Sequence, residues 1–436
     1  GWEINMKKPV TFAVCGFGNR GMEAYSVYAQ QAPEEMRLVA VADPLPERQR
    51  AAKEQFGLSE QAVFDSAEAL LAQPRLADVM LIATQDRQHV KQALIALEKG
   101  YDLLLEKPIS PEPAECMALL QKAHETGRTV VVCHVLRYTP FYGTLKRLLS
   151  EGVVGKVQTI DAIEHVAYWH QAHSFVRGNW RRSDETSPMI LQKCCHDMDI
   201  LRWLVDAPCR AVASFGKLSW FTPEHAPAGA AKRCLDGCTA RENCPYDAEK
   251  IYLEHEKTGF RAGARGWPVT VLCSGEATEE AIYDALRTGP YGRCVYHCDN
   301  NVVDHQVISM EFENEVTATF TMTAFTKDNH RTIRIMGTMG ELEGDMAKNS
   351  FEVRPFGKPS YTVECGTAAQ GAQGHGGGDG GLMKAVCALF AGEQTEILTS
   401  IDASVDSHMM ALAAEESRVS GGARINVPEF AAQWAK

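Results

Sequence analysis

Apolar residues follow two rhythms in the first third of this chain. Short continuous runs recur at VTFAVC (from Val10), LVAVA (Leu38), DVMLIAT (Asp78), YDLLLE (Tyr101) and TVVVCHV (Thr129). Between them the apolar spacing widens to every third or fourth position, as in QHVKQALIALEKG and AECMALLQKAHETG. The runs predict strands buried on both faces, and the wider spacing predicts helices that close on glycine. Strands alternating with helices of this length mean a parallel sheet with helices on both faces, an α/β fold. A further helix is expected over residues 191–205. Leu191, Cys194, Cys195, Met198, Leu201 and Val205 would face the core, with Gln192, Lys193, His196 and Asp199 opposite.

The first strand runs into Gly16-Phe17-Gly18-Asn19-Arg20-Gly21 and then a helical pattern. Gly16 suits the tight turn, Gly18 lets a pyrophosphate approach the backbone, and Gly21 lets the helix pack close. The helix N-terminus then presents free N–H groups to phosphate. The next strand ends in Asp43, an acid that can accept hydrogen bonds from the ribose hydroxyls and repel a 2′-phosphate. NAD is the expected cofactor, with Arg48 and Arg50 leaving NADP open.

Bulk properties narrow the partners. The chain has 436 residues, 45% hydrophobic and 23% charged, and a net charge of -12. That is enough for two domains, and it argues against nucleic acid or an anionic membrane as partner. The N-terminal stretch lacks the order of a secretory signal, so the fourteen cysteines read as thiols or metal ligands in a cytoplasmic protein.

Glu106-Lys107-Pro108 at the end of a strand resembles the E-K-P motif of the Gfo/Idh/MocA oxidoreductases. So do Thr84, Asp86 and His89 in ATQDRQHV, RYTPFYGTLKRLLSEGVVGKV, CCHDMDILRWL, MGTMGELEGD and the last long helix pattern. The resemblance spans nearly the whole chain apart from residues 222–300. It implies a Rossmann domain over 6–135 and, over 136–436, a second α/β domain built on a large open, mostly antiparallel sheet. It also implies a homo-oligomer, dimer or tetramer, formed through that sheet. The implied cofactor side comprises the glycine loop, Thr84, Asp86, His89 and Glu106. The implied reaction is hydride transfer with Lys107 hydrogen-bonded to the reacting hydroxyl. The family often has an aspartate where this chain has Gln192, which leaves acid–base work to Lys107 and His196, helped by Lys193.

EHVAYWHQAHSFVRGNWRRSDETSP, ahead of that helix, reads as a connection. Its aromatic and polar side chains suit a sugar ring. Tyr168, His173, Arg177, Asn179 and Trp180 are therefore substrate-side candidates, as are His375 and Asp379 in the glycine-rich GAQGHGGGDGG stretch from Gly371. A similar H-G-G-x-D stretch occurs in NAD-dependent glycosidases of the same superfamily. The interruption at 222–300 holds Cys234, Cys238 and Cys244, with Cys294 and Cys298 further on. The first three with Cys294 could close a structural zinc site that staples an insertion too small for its own core. An iron–sulfur cluster and inert thiols are the alternatives.

Three functions follow. The first is an NAD-dependent oxidoreductase acting on a secondary alcohol of a sugar, glycoside or cyclitol. The second is a glycosidase that retains NAD and works by transient oxidation, elimination, hydration and re-reduction. The third is a non-catalytic NAD sensor.

Overall fold

The computed structural model describes residues 8–367, 374–393 and 399–435. The buried runs become a six-stranded parallel sheet: β1 (Val10–Cys15), β2 (Met36–Ala42), β3 (Val63–Phe64), β4 (Val79–Ile82), β5 (Asp102–Leu105) and β6 (Val130–Val132). Their order is β3-β2-β1-β4-β5-β6. The order reverses beside β1, so a crevice opens at the carboxyl ends of β1 and β4, where such sheets bind ligands. Both faces are covered, and β4 is buried at every residue.

The second sheet contains β7 (Val157–Ala167), β8 (Cys209–Lys217), β9 (His305–Phe312), β10 (Thr317–Thr326), β11 (His330–Gly337), β12 (Gly340–Asp345), β13 (Ser350–Pro355), β14 (Tyr361–Glu364) and β15 (Ile425–Asn426). The order is β14-β13-β12-β11-β7-β10-β9-β8-β15, with β7 and β10 parallel and the other pairs antiparallel. Alternation along β10 shows why only one face is covered. Ala318, Phe320, Met322 and Ala324 are buried, while Thr317 and Thr319 face outward. The inner face joins one core with the helices Cys195–Val205 and Ile401–Val419. The outer face is open and carries a groove of about 670 Å³ lined by Thr159, Asp161, Ser309, Glu311 and Thr317, among others.

Three expectations change. The helix expected over 191–205 is broken into Met189–Gln192 and Cys195–Val205, with Cys194 outside helical geometry. At the break the Gln192 carbonyl accepts a hydrogen bond from Lys107. The segment read as a connection is instead the end of β7 followed by helical turns, Tyr168–His170 and Gln171–Arg177. Finally, the insertion does have its own core, formed by Phe221, Tyr246, Tyr252, Ile282, Leu286 and Tyr291 with Trp169 and Val176 from the preceding segment.

Candidate active site

The glycine loop has the shape its residues dictate. Gly16 is left-handed at φ 90°, and a Cβ there would lie 2.5 Å from the Ala83 carbonyl oxygen. A Cβ at Gly21 would run into the Gly16 carbonyl, so the helix can begin this close to β1 only with glycine. This cradle at the reversal point fits a dinucleotide. Asp43 is placed differently from expectation. Its side chain is 1% exposed, and it accepts hydrogen bonds from Phe17 N–H (2.8 Å), Leu45 N–H (2.9 Å) and Arg48 (3.2 Å). Asp43 therefore braces the loop, while the half-exposed Arg48 guanidinium covers Gly18 at 3.1 Å from where a Cβ would stand. Asn19 is at the surface, bonded to Glu23 at 2.7 Å.

Arg20 turns inward. Its Nε donates to Glu106 at 2.6 Å, and its terminal nitrogens donate to Asp379 at 2.9 and 3.1 Å and to Tyr25 at 2.5 Å. One guanidinium thus ties the glycine loop to β5's end and to the helix Gly378–Phe390. Burial alone would raise the Glu106 carboxyl, but Arg20 and Lys107 outweigh it and hold it below the usual range. His375 sits at φ 53° just before that helix, with Gly376 and Gly377 also left-handed. Its Nδ1 lies 3.1 Å from Asp379 and 3.4 Å from Arg20. The Gly371–Gln373 part of this stretch lies outside the described residues.

His89 braces the neighbouring loop, with its ring nitrogens 2.6 Å from the Pro108 carbonyl and 2.9 Å from that of Thr84. The Thr84 hydroxyl bonds to Gln92 at 2.6 Å. Asp86 accepts from the Ser187 hydroxyl at 2.6 Å, which stitches the first domain to the segment leading into the active-site helices.

Lys107 projects across this cleft and donates to the Gln192 carbonyl at 2.9 Å. Beside it are His196, with both ring nitrogens buried and unpartnered, and Gln192, whose side-chain oxygen is likewise unpartnered. Buried polar atoms seldom go unmatched, and unpartnered ones beside an amine mark a place for polar ligand groups. Burial, then the charge of Lys107, drives His196 well below its usual value, so it is neutral and can accept a proton. His196 does not touch Asp199, which instead forms a two-pronged pair with Arg137 at 2.6 and 2.7 Å. Lys193 does not pair with Asp197 but with Glu164 at 3.3 Å. Arg331 then joins Glu164 and Asp197, the latter at 2.9 Å. Burial and the facing Glu164 raise Asp197 to about 7 against the pull of Arg331.

Other candidates lie apart. His173 is buried in the insertion's core, bonded to the Tyr252 hydroxyl at 2.6 Å and stacked on Tyr291. Arg177 is fully buried there and donates to the Arg293 and Tyr246 carbonyls. Tyr168 leans on Tyr246 and His255, Trp180 packs against the main core, and Asn179 is exposed. Cys234, Cys238, Cys244 and Cys294 do line one cavity. However, among the described residues no group of three or more His, Cys, Asp or Glu side chains stands ready to hold a metal ion. The expected zinc is not supported. One of the prospective ligands is taken up elsewhere: the Cys234 sulfur accepts from the Arg177 guanidinium at 3.6 Å.

Sequence reasoning missed Glu164 and Arg331, which sit on strands as single charges among apolar and polar neighbours. It also missed His134 at the end of β6, fully buried with both nitrogens unpartnered and its ring 6.2 Å from that of His196. A charged residue at an inward position of a strand was the available signal for the first two.

Residues 10–134 match the model of an oxidoreductase family with an NAD-binding Rossmann fold, and residues 146–370 match its C-terminal α/β domain. A putative oxidoreductase YteT of Bacillus subtilis is 22% identical over 85% of this chain and 86% of its own length. The scyllo-inositol 2-dehydrogenase (NAD(+)) of the same organism is 26% identical over 49% of this chain, and the match spans 59% of that enzyme. The crystal structure of an aldose-aldose oxidoreductase from Caulobacter crescentus complexed with glycerol superposes with a TM-score of 0.66 at 14% identity. That match covers 96% of this chain and all of the other.

Proposed function

Because this chain belongs to the Gfo/Idh/MocA oxidoreductase family, we propose that it moves hydride between a secondary alcohol of a sugar, glycoside or cyclitol and NAD. The carrying observation is Lys107 beside a neutral, buried, unpartnered His196 at the crevice between the two sheets. The glycine cradle would hold the dinucleotide, and bound NAD would supply the hydride acceptor. Lys107 would hydrogen-bond the reacting oxygen. His196 would take the hydroxyl proton on a ring nitrogen, and the Gln192 side-chain oxygen would accept from a neighbouring hydroxyl. Lys193, fixed by Glu164, would bind a further oxygen. The inositol dehydrogenase relative supports a polyol substrate.

His375 paired with Asp379 favours a second reading. Its ring lies 5.6 Å from that of His196, so the cleft holds two acid–base groups where alcohol oxidation needs one. A redox glycosidase would use the second for elimination. One assay separates the readings: purified protein, NAD and a panel of sugars and aryl glycosides, with NADH and aglycone followed together. NADH rising with substrate consumed establishes the dehydrogenase. Aglycone released over many turnovers without net NADH establishes the glycosidase.

Two further outcomes follow. His196→Asn lowers kcat about 10²-fold. Because His196 is depressed, wild-type kcat/KM carries no His196 limb near pH 6.5; a limb there that vanishes in the variant would show that burial and Lys107 do not depress it. Arg48→Ala weakens NADP+ about tenfold more than NAD+ in a fluorescence titration, since Arg48 is the cation over the glycine loop. The open outer sheet face, with Phe215, Val307 and Phe325 exposed, is where we place a homo-oligomer contact. No helix among the described residues is long and apolar enough to cross a membrane.

A further inference from the structure

Lys107, His196, Gln192 and Lys193 are enough to hold one sugar ring. The wall beside them continues outward. β7 leaves Glu164 and runs directly into Tyr168–His170 and Gln171–Arg177. Asn329 fixes this wall by accepting from Ala167 N–H at 2.8 Å and contacting the His170 Nδ1 at 3.0 Å. Two residues on, Arg331 grips Glu164 and Asp197. The turn that carries the cleft's ionic floor therefore also fixes His170. Glu164, which holds Lys193, and His170 lie six residues apart on the one continuous run from β7 into the turn, which places that wall next to the reacting centre.

Against this wall the insertion presents Trp267. Its ring meets His170 at 4.8 Å, His173 at 5.3 Å and Trp169 at 5.8 Å, at angles of 75°, 86° and 53°. Three rings brace the indole, yet Trp267 remains 42% exposed, whereas Trp169 behind it is buried. Large aromatics braced this well usually complete a core. This one leaves surface free beside hydrogen-bonding groups: His170, Asn329, and His255, whose ring lies 5.9 Å from that of Trp169. An apolar surface with a polar rim matches a pyranose, which presents C–H bonds on its face and hydroxyls at its edge. A purely apolar partner would leave that rim unpaired.

We propose that Trp267 forms an outer sugar-binding subsite and that the substrate is a glycoside of at least two rings. The reacting ring lies on Lys107 and His196, and the next stacks on the indole. This rests on the carbohydrate reading above and adds a role for the insertion, which supplies substrate length selectivity.

The test compares one-ring and two-ring ligands in the full chain with NAD+ bound. Methyl β-glucoside is paired with cellobiose, methyl α-glucoside with maltose and methyl β-galactoside with lactose, and dissociation constants are read by calorimetry. For the pair whose sugar is accepted, wild type prefers the two-ring ligand. Trp267→Ala lowers that preference about tenfold, and Trp267→Phe, which keeps a stacking face, retains most of it. Circular dichroism and NAD+ affinity matching wild type show that the variants fold. Equal affinity for both members of every accepted pair, or a preference unmoved in Trp267→Ala, overturns the subsite while leaving the carbohydrate reading intact. Binding of NAD+ without binding of any sugar overturns both.

Discussion

Replacing Lys107 by methionine lowers kcat by roughly 10²–10⁴-fold while NAD+ affinity stays near wild type. Methionine keeps the length and apolar stem of lysine but has no N–H to give. On the proposed mechanism the Lys107 ammonium has two tasks. It donates to the Gln192 carbonyl at 2.9 Å, anchoring the break between the two active-site helices. Its remaining N–H groups would meet the substrate hydroxyl oxygen as it gains charge with the loss of its proton. Loss of the second task appears in kcat and in kcat/KM alike, since the interaction grows as the oxygen becomes anionic. The cofactor cradle is built from Gly16, Gly18 and Gly21 at the end of β1, two strands from Lys107, so dinucleotide titration should be nearly unmoved. Weak NAD+ binding in Lys107→Met would instead make Lys107 a cofactor group. Turnover within a few-fold of wild type would remove it from the chemistry.

Much of this site is local in sequence, and much is not. The glycine loop, the E-K-P strand end and the strands around them are contiguous stretches. Their burial rhythm and turn chemistry determine the shape of each, so the Rossmann half was legible residue by residue. The second sheet was legible only in kind, as the large open, mostly antiparallel sheet that the family resemblance implied. Its strands are paired through outward threonines and inward apolar residues in an order that crosses the whole domain, β7 between β11 and β10. Periodicity carries no information about which strand lies beside which. The same limit explains the misplaced candidates. Tyr168, His173 and Arg177 have the right chemistry for a sugar, but the turn after β7 points His173 and Arg177 into the insertion's core. Asp43 has the right position but is turned inward by Phe17 N–H. The cysteines do gather across sixty residues of chain, and the buried arginine among them could not be foreseen from spacing. Lys193 shows the converse. A partner one turn away was available in Asp197, but the helix breaks at that point, and the lysine finds Glu164 on a strand.

Arg331→Leu destabilises the protein by about 3–5 kcal/mol. Leucine fills part of the volume but leaves Glu164 and Asp197 facing each other in the buried floor with only Lys193 for charge. Two like charges in a dry site cannot both persist, so the variant's carboxyls take up protons. The direction with pH follows. In wild type Asp197 already sits at about 7, above its unfolded value, so its contribution is full below that unfolded value and is lost as pH rises through 7. Glu164 is held low, by charge from Arg331 and Lys193 that overcomes burial. It therefore contributes stability at neutral pH that disappears as pH falls. Without Arg331 the Glu164 contribution is lost and both acids behave as Asp197 does. The gap in thermal midpoint between wild type and variant should accordingly be small at pH 5 and wide at pH 8. Differential scanning calorimetry at the two pH values measures it. A gap that is the same at both would mean that the guanidinium acts only by filling space, and that Glu164 and Asp197 do not depend on it for their charge.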